Sequence, residues 1–342
     1  MKFKAKAPLR LGLAGGGTDV SPYSNLYGGA IINATISLYA HCTITTTNSD
    51  AIVIKAHHTT QVFCYNNTKE LPINGCLDLA KGVYNCLQKD YDFLHNGLEI
   101  STNVDAPIGS GLGTSSTLVV AILGAFNEML NLKLDKHKLA AYAFKIEREY
   151  LKFAGGKQDQ YTAVFGGLNF MQFFEDNSVI VEKITISEKS LETLQHNLLL
   201  YYTQSTRDSG LIIEEQQQNV LQQKASSIEA MHQLKKQAFE MKSIFCNDDI
   251  DSIGKILDFG YKHKQQMASN ITNETINYIY ATALKAGATG GKISGAGGGG
   301  FMFFYCPNNT KAAVEKALQQ LGGNIQNYSF VQQGLTSWQE DV

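Results

Sequence analysis

The chain has 342 residues, 44% of them hydrophobic and 18% charged, with a formal net charge of −2. That length suggests about two domains, and the apolar content excludes a disordered chain. A near-neutral balance with Lys and Arg spread along the chain argues against a nucleic-acid partner.

The six cysteines form no C-x-x-C pair and the eight histidines no H-E-x-x-H, which points to reduced thiols and no zinc site. The N-terminal MKFKAKAPLRLGL is broken by charge and runs into glycines rather than a cleavage signal. No apolar run reaches the ~20 residues needed to cross a bilayer. A soluble, cytoplasmic protein with no membrane partner is expected.

In chain order, residues 3–14 and 30–47 are predicted as strands, the second rich in Ile and Thr. Residues 52–56 and 61–65 read as short antiparallel strands. Residues 77–87 are helical, with Leu79, Val83 and Leu87 on one face. A strand over 98–104 leads through a glycine loop into a helix from Ser115 to Leu130. A helix over 138–150 and strands over 168–174 and 179–186 follow.

The composition shifts near residue 190, dividing the chain into lobes 1–190 and 191–342. Residues 198–202 read as a strand. The Gln-rich stretch from Leu211 to Phe245 keeps a helical stripe through Val220, Leu221, Ile228, Met231, Leu234, Met241 and Ile244. It offers either a homodimer surface or a plain scaffold. A helix over 273–286, a strand over 301–305, a helix over 310–321 and a last strand over 326–332 complete the pattern. With no Pro/Ser linker, the lobes are expected to share a cleft.

Three glycine clusters stand out: 15–17, 109–113 and 295–300. Glycine lets backbone N–H groups approach a ligand, and such a loop ending at a helix N-terminus attracts phosphate oxygens. A Walker loop does not fit, because Ile293 follows Gly291-Lys292 and Ala286 replaces the first glycine. The G-x-G-x-x-G of 295–300 precedes a strand rather than following one, so it is not a dinucleotide site. The middle cluster does fit. In PIGSGLGTSST, Pro107, Gly109, Ser110, Gly111, Leu112, Gly113, Thr114, Ser115 and Ser116 form a predicted nucleotide cradle between a strand and a helix.

PIGSGLGTSST resembles the P-x-x-x-G-L-G-S-S-A signature of the GHMP kinases, with Thr114 and Ser116 departing from it but remaining small. APLRLGLAGGGTD (7–19) and KISGAGGGG (292–300) are similar to that family's first and third motifs, in the family's order. AGGGTD and GGKQDQ (155–160) are most like the sugar 1-kinases that act on fucose and on D-glycero-D-manno-heptose 7-phosphate, the latter being the preferred match.

The resemblance implies an α/β (α+β) fold: a ribosomal S5 domain 2-like N-terminal lobe and a ferredoxin-like C-terminal lobe with a helical insertion. It implies ATP-dependent phosphorylation of the anomeric hydroxyl of the heptose phosphate, giving the 1,7-bisphosphate on a route to activated heptose for surface polysaccharide. A kinase for an unphosphorylated sugar, and a non-catalytic sugar- and ATP-sensing regulator, are the alternatives.

By motif match, Asp159 takes the place of the catalytic aspartate, accepting or orienting the attacking hydroxyl's proton. Arg10 compensates charge on the moving phosphoryl group. Ser115 aligns with the serine that binds Mg²⁺, and spacing to Asp159 selects Glu147 over Glu149 as its acidic partner. Thr18 and Asp19 are expected to face the sugar, with Gly297 and Gly298 closing over the cleft. Thr203 and Arg207 in YYTQSTRDSG are expected on the acceptor side, and Arg207, or failing it Lys157, on the substrate phosphate.

Overall fold

The computed structural model describes residues 1–93, 95–205 and 209–340. β1 (Lys2–Ala14) and β2 (Gly29–Thr47) are the spine of the first half. They run antiparallel, joined through α1 (Tyr23–Tyr27). β1 begins with alternating burial, one face toward the core. From Pro8 onward every residue is buried, because both faces are covered. Its register against β2 shifts between Pro8 and Arg10 and again between Gly12 and Ala14. Such bulges re-aim side chains, and Arg10 lies at the first of them.

β2 is long enough to serve two sets of partners. Its second half pairs with β5 (Gly97–Val104), which lies parallel to β3 (Ala51–Ala56) beside β4 (Gln61–Asn66). Its first half pairs with β6 (Leu168–Phe173), followed by β7 (Val179–Lys183). Among helices, α2 (Asp78–Tyr91) and α3 (Thr114–Met129) pack together, and α3 lies on β1 and β2, nearly every residue from Ser116 to Phe126 buried. α4 (Lys136–Phe144) is N-capped by Asp135, whose carboxylate accepts from Lys138 N. The helix then widens to π geometry over Lys145–Tyr150, and α5 (Gln158–Phe165) follows the glycines at 155–156.

The second sheet has the order β11-β8-β10-β9. It is built from β8 (Leu198–Tyr202), β9 (Gly290–Ile293), the fully buried β10 (Phe301–Tyr305) and β11 (Asn324–Ile325). α6 (Glu188–Asn197) enters it. Around it lie α7 (Ser209–Leu221), α8 (Ala225–Cys246), α9 (Ile253–Lys264), α10 (Glu274–Lys285) and α11 (Lys311–Gln319). β12 (Thr336–Glu340) returns to pair with β1, so no single cut in the chain separates the two sheets.

Several expectations are corrected. The Gln-rich stretch is two helices, broken at a turn where Gln223 takes φ of 54°. The last strand lies at 336–340. Residues 326–332 are irregular, apart from a bridge between Ile36 and Phe330. α6 and α9 were not foreseen. Among the described residues no helix is long and apolar enough to cross a membrane.

Candidate active site

A cleft of about 480 Å³ is lined by parts of all three glycine clusters. Gly109, Gly111 and Gly113 take φ of 76°, 85° and 77°, which L side chains rarely adopt. Gly113 caps α3 without any side-chain hydrogen bond, so the helix's first N–H groups are left for a ligand. A Cβ on Gly111 would come within 2.6 Å of Ser294 O, so these glycines also let the second and third clusters touch.

Arg10 and Asp159 meet at the end of this loop. Arg10 Nε donates to Asp159 Oδ1 at 2.7 Å and Nη2 to Oδ2 at 3.1 Å, a bidentate pair. Nη1 donates to Gly111 O at 2.6 Å, and Ser294 Oγ donates to the same carbonyl at 2.7 Å. A Cβ on Gly113 would stand 3.0 Å from the Asp159 carboxyl carbon, so the carboxylate rests directly on the last glycine of the loop. Asp159 sits in the first turn of α5, where the helix dipole favours its charge. The glycines at 155–156 bend the chain into this helix.

The widened turn carries Glu147 into the cleft. There Glu147 is 1% exposed, while Glu149 faces solvent. Gln160 Nε2 donates to Glu147 Oε2 at 2.6 Å, and Arg148 Nη1 lies 3.1 Å from Oε1. Arg148 and Gln160 also both donate to Ser116 Oγ at 3.2 Å, so that hydroxyl belongs to the scaffold under Glu147. Ser115 lines the cleft beside it.

Asp19 lines the cleft, almost fully buried, and accepts from Gln158 N at 3.0 Å. Burial raises its pKa above the usual carboxylate value, and the nearby Asp159 charge adds to this. A Cβ on Gly156 would stand 2.0 Å from Asp19 Oδ2, which is why the bend before α5 holds a glycine.

The remaining sequence candidates divide. Gly109, Gly111, Gly113, Thr114, Ser115, Ser116 and Gly297 line the cleft, whereas Pro107, Ser110 and Leu112 do not. Leu112 is core, and Ser110 is buried with its carbonyl accepting from Phe301 N. Thr18 does not face a sugar: its buried hydroxyl bonds Gly15 O and accepts from Ala30 N, closing the first glycine turn. Gly298 N donates to Ile271 O, and Thr203 Oγ1 donates to Gly300 O, each holding the third loop in place away from the cleft. Lys157 Nζ donates to Asn177 Oδ1 at 2.8 Å, outside the lining. Arg207 lies outside the described residues.

Sequence reasoning missed Lys264, Gln216, Glu214, Lys152 and Arg148, all on the cleft wall. It placed Lys292 only within the third motif. Lys264 ends α9 and Lys292 ends in β9, each 3% exposed. Their partners are backbone carbonyls: Lys264 Nζ donates to Gly295 O and Lys292 Nζ to Gly12 O.

Comparison with known proteins agrees with this geometry. The GHMP kinases N terminal domain matches residues 78–167 and the GHMP kinases C terminal domain residues 241–324. The chain is 40% identical over 336 residues to D-glycero-alpha-D-manno-heptose 7-phosphate kinase of Campylobacter jejuni, covering 98% of each protein. It superposes on the crystal structure of a D-glycero-D-manno-heptose 1-phosphate kinase from Bacteroides thetaiotaomicron with a TM-score of 0.84 at 40% identity, covering 99% of this chain and 100% of that one. Lactococcus lactis galactokinase with bound galactose shares the fold at a TM-score of 0.77 and 16% identity, over 98% of this chain and 95% of that one. The chain belongs to the GHMP kinases, and its activity is that of an ATP-dependent sugar kinase.

Proposed function

We propose that the protein transfers the terminal phosphoryl group of ATP to the anomeric hydroxyl of D-glycero-D-manno-heptose 7-phosphate. The observation that carries this reading is the bidentate Arg10–Asp159 pair seated on Gly113, where the phosphate loop meets the start of α3. The two 40%-identical relatives are named for heptose phosphates, with the phosphate on C7 in one name and on C1 in the other. A 7-phosphate acceptor leaves the C1 hydroxyl free to react.

In this reading the N–H groups of residues 109–116 cradle the nucleotide phosphates. Asp159 receives or orients the proton of the attacking C1 hydroxyl. Arg10, bound to Asp159 on one side, offsets charge that develops on the phosphoryl oxygens. The buried carboxylate Asp19 takes sugar hydroxyl donors, with Gln158, Gln216 and Glu214 around it.

Mg²⁺ fits the donors present. Ser115 and Glu147 give two hard oxygens on one wall, and among the described residues no group of three or more His, Cys, Asp or Glu could hold a metal alone. That suits an ion that takes its other ligands from phosphate and water and neutralises phosphate charge. Gln160 and Arg148 fix the Glu147 carboxylate toward the cleft, and its remaining lone pairs stay available. Lys157 lies outside the cleft lining, so Arg207, on the sequence resemblance alone, stays the proposed contact to the 7-phosphate.

A coupled ADP-release assay over sugars and sugar phosphates tests the reading. Heptose 7-phosphate should turn over well ahead of free heptose, fucose or galactose. Absence of ADP release with every acceptor would contradict it.

A further inference from the structure

Of the three glycines at 15–17, only the middle one lacks a structural reason. Gly15 and Gly17 take φ of 74° and 100°. A Cβ on them would strike Ala30 O at 1.9 Å and Met267 Cε at 2.5 Å. Gly16 has no such φ and no such clash. The atoms nearest to its missing Cβ are Lys292 Nζ at 3.8 Å and Lys264 Nζ at 3.9 Å, ordinary contact distances. Gly16, Lys264 and Lys292 all line the cleft, so the space above Gly16 is open and faced by two amines.

Asp19 is the one carboxylate among the described residues whose charge favours either amine, and it acts on Lys264 without touching it. Among the described residues neither lysine forms an ion pair with a carboxylate, and the hydrogen bond of each goes to a backbone carbonyl. An ammonium carries three N–H donors, so each has donors to spare. The charged groups they feel are Arg10 and Asp19 for Lys264, and Lys264 and Arg10 for Lys292. Arg10 is already engaged with Asp159. Buried cations without a partner are costly, and a bound anion removes that cost.

We propose that Lys264, Lys292 and the open backbone at Gly16 form a phosphate subsite, distinct from the 109–116 cradle, that holds the oxygens of the phosphoryl group in transfer. The inference rests on the phosphotransferase reading above. Lys292 Nζ donates to Gly12 O, two residues past Arg10, and Lys264 Nζ to Gly295 O, which packs on Gly111, whose carbonyl accepts from Arg10; this puts the subsite beside the Arg10–Asp159 pair. Burial pushes Lys264 down to about 8 and Lys292 well below its ordinary value, with like charge from Arg10 adding to both. An arriving anion reverses that balance, so binding should draw protons from solvent.

Titration calorimetry in two buffers of different protonation enthalpy measures this directly. At about pH 8.5 phosphate monoesters, with a second pKa of about 6, are fully ionised and contribute no proton uptake. The probes are ADP, the β,γ-imido analogue of ATP, heptose 7-phosphate and unphosphorylated heptose, each with Mg²⁺. Net uptake with the ATP analogue and none with ADP supports the subsite with the nucleotide as source. Uptake with heptose 7-phosphate, and none with the ATP analogue or free heptose, overturns the assignment to the transferred group, because the pocket then holds the sugar's own phosphate. No uptake from any probe, in enzyme that binds the analogue and releases ADP, overturns the subsite and leaves the kinase reading standing. No binding of any phosphate probe overturns both.

Gly16→Ala gives a second arm that does not disturb the buried lysines, because its backbone and surroundings accept a Cβ. It should melt no lower than wild type, yet bind the phosphate-bearing probe about tenfold or more weakly, as expected when charge-assisted contacts are displaced. Lys292→Met should lose the proton uptake as well. Unchanged affinity in Gly16→Ala would overturn the proposal.

Discussion

Asp78 and Lys81 pair within one turn at the start of α2, with Nζ 2.9 Å from Oδ1. Arg10 and Asp159 pair at 2.7 Å across 149 positions of sequence. Both arginine and lysine are buried, yet the surroundings differ. Lys81 also donates to Pro72 O and Asn74 Oδ1, and Asp78 accepts from the N–H groups of Asn74 and Gly75. That network closes on itself and pins the loop before α2. The Arg10–Asp159 pair opens on the cleft, rests on a glycine loop and shares that cleft with two lysine amines that form no ion pair among the described residues. A buried ion pair is therefore not a functional signal by itself. The space beside it and the balance of charge around it are what separate a strut from a reaction centre.

The sharpest way to break that contrast is to remove one member of each pair. Asp159→Asn should lower kcat by about 10²–10⁴-fold, the range for a positioned acid–base group, with little change in ATP affinity. Near wild-type turnover would remove Asp159 from the centre. Lys81→Met should do the reverse: it leaves the Asp78 carboxylate without its cation, which costs about 3–5 kcal/mol of stability, while kcat in the folded fraction stays unchanged. Urea unfolding beside steady-state kinetics measures both, and a kcat loss in Lys81→Met would erase the distinction.

The metal wall sharpens it further. Glu147→Gln and Ser115→Ala should each raise the Mg²⁺ concentration at half-maximal rate by about tenfold or more, since even outer partners of metal ligands cost that much. Glu149→Gln, on the solvent side, should leave the titration unchanged. A shift in Glu149→Gln alone would move the acidic ligand.

The smallest expected effect concerns Asp19. Burial, first, and the Asp159 charge raise its folded pKa above 3.8. A raised folded pKa stabilises the fold at pH below the unfolded value, and that contribution is lost as pH rises through the folded one. Above the unfolded value the buried Asp19 carboxyl is therefore a burden on stability. Asp19→Asn should raise the melting temperature at pH 7, with the gain shrinking toward pH 4, while KM for the sugar rises. A lower melting temperature at pH 7 would mean that its hydrogen bonds from Gln158 outweigh its desolvation.

The glycine loops were legible in the sequence because each demand is local: positive φ at Gly109, Gly111 and Gly113 leaves few residue choices. Asp159 and Arg10 could be proposed from the sequence because GGKQDQ and APLRLGLAGGGTD resemble family motifs, and the structure brings the two side chains together. Thr18 was misread, since its hydroxyl serves Ala30, twelve residues away. Lys264 was hidden because it sits in a basic helix end, KHK, that reads as plain dipole compensation. Gln216 was hidden among the glutamines of α7. Both become site residues only when α7 and α9 fold against the first glycine turn, with Lys264 also reaching the third loop. The last strand was misplaced for the same reason: its partner is β1, more than 300 residues upstream.

The most direct test of the account is the phosphorus NMR spectrum of the product formed by wild-type enzyme from ATP and D-glycero-D-manno-heptose 7-phosphate. The account predicts a second sugar phosphate resonance, coupled to the anomeric proton, growing in step with ADP while the 7-phosphate signal persists. A new phosphate coupled to any other carbon, or reaction only when heptose 1-phosphate is supplied instead, would contradict it.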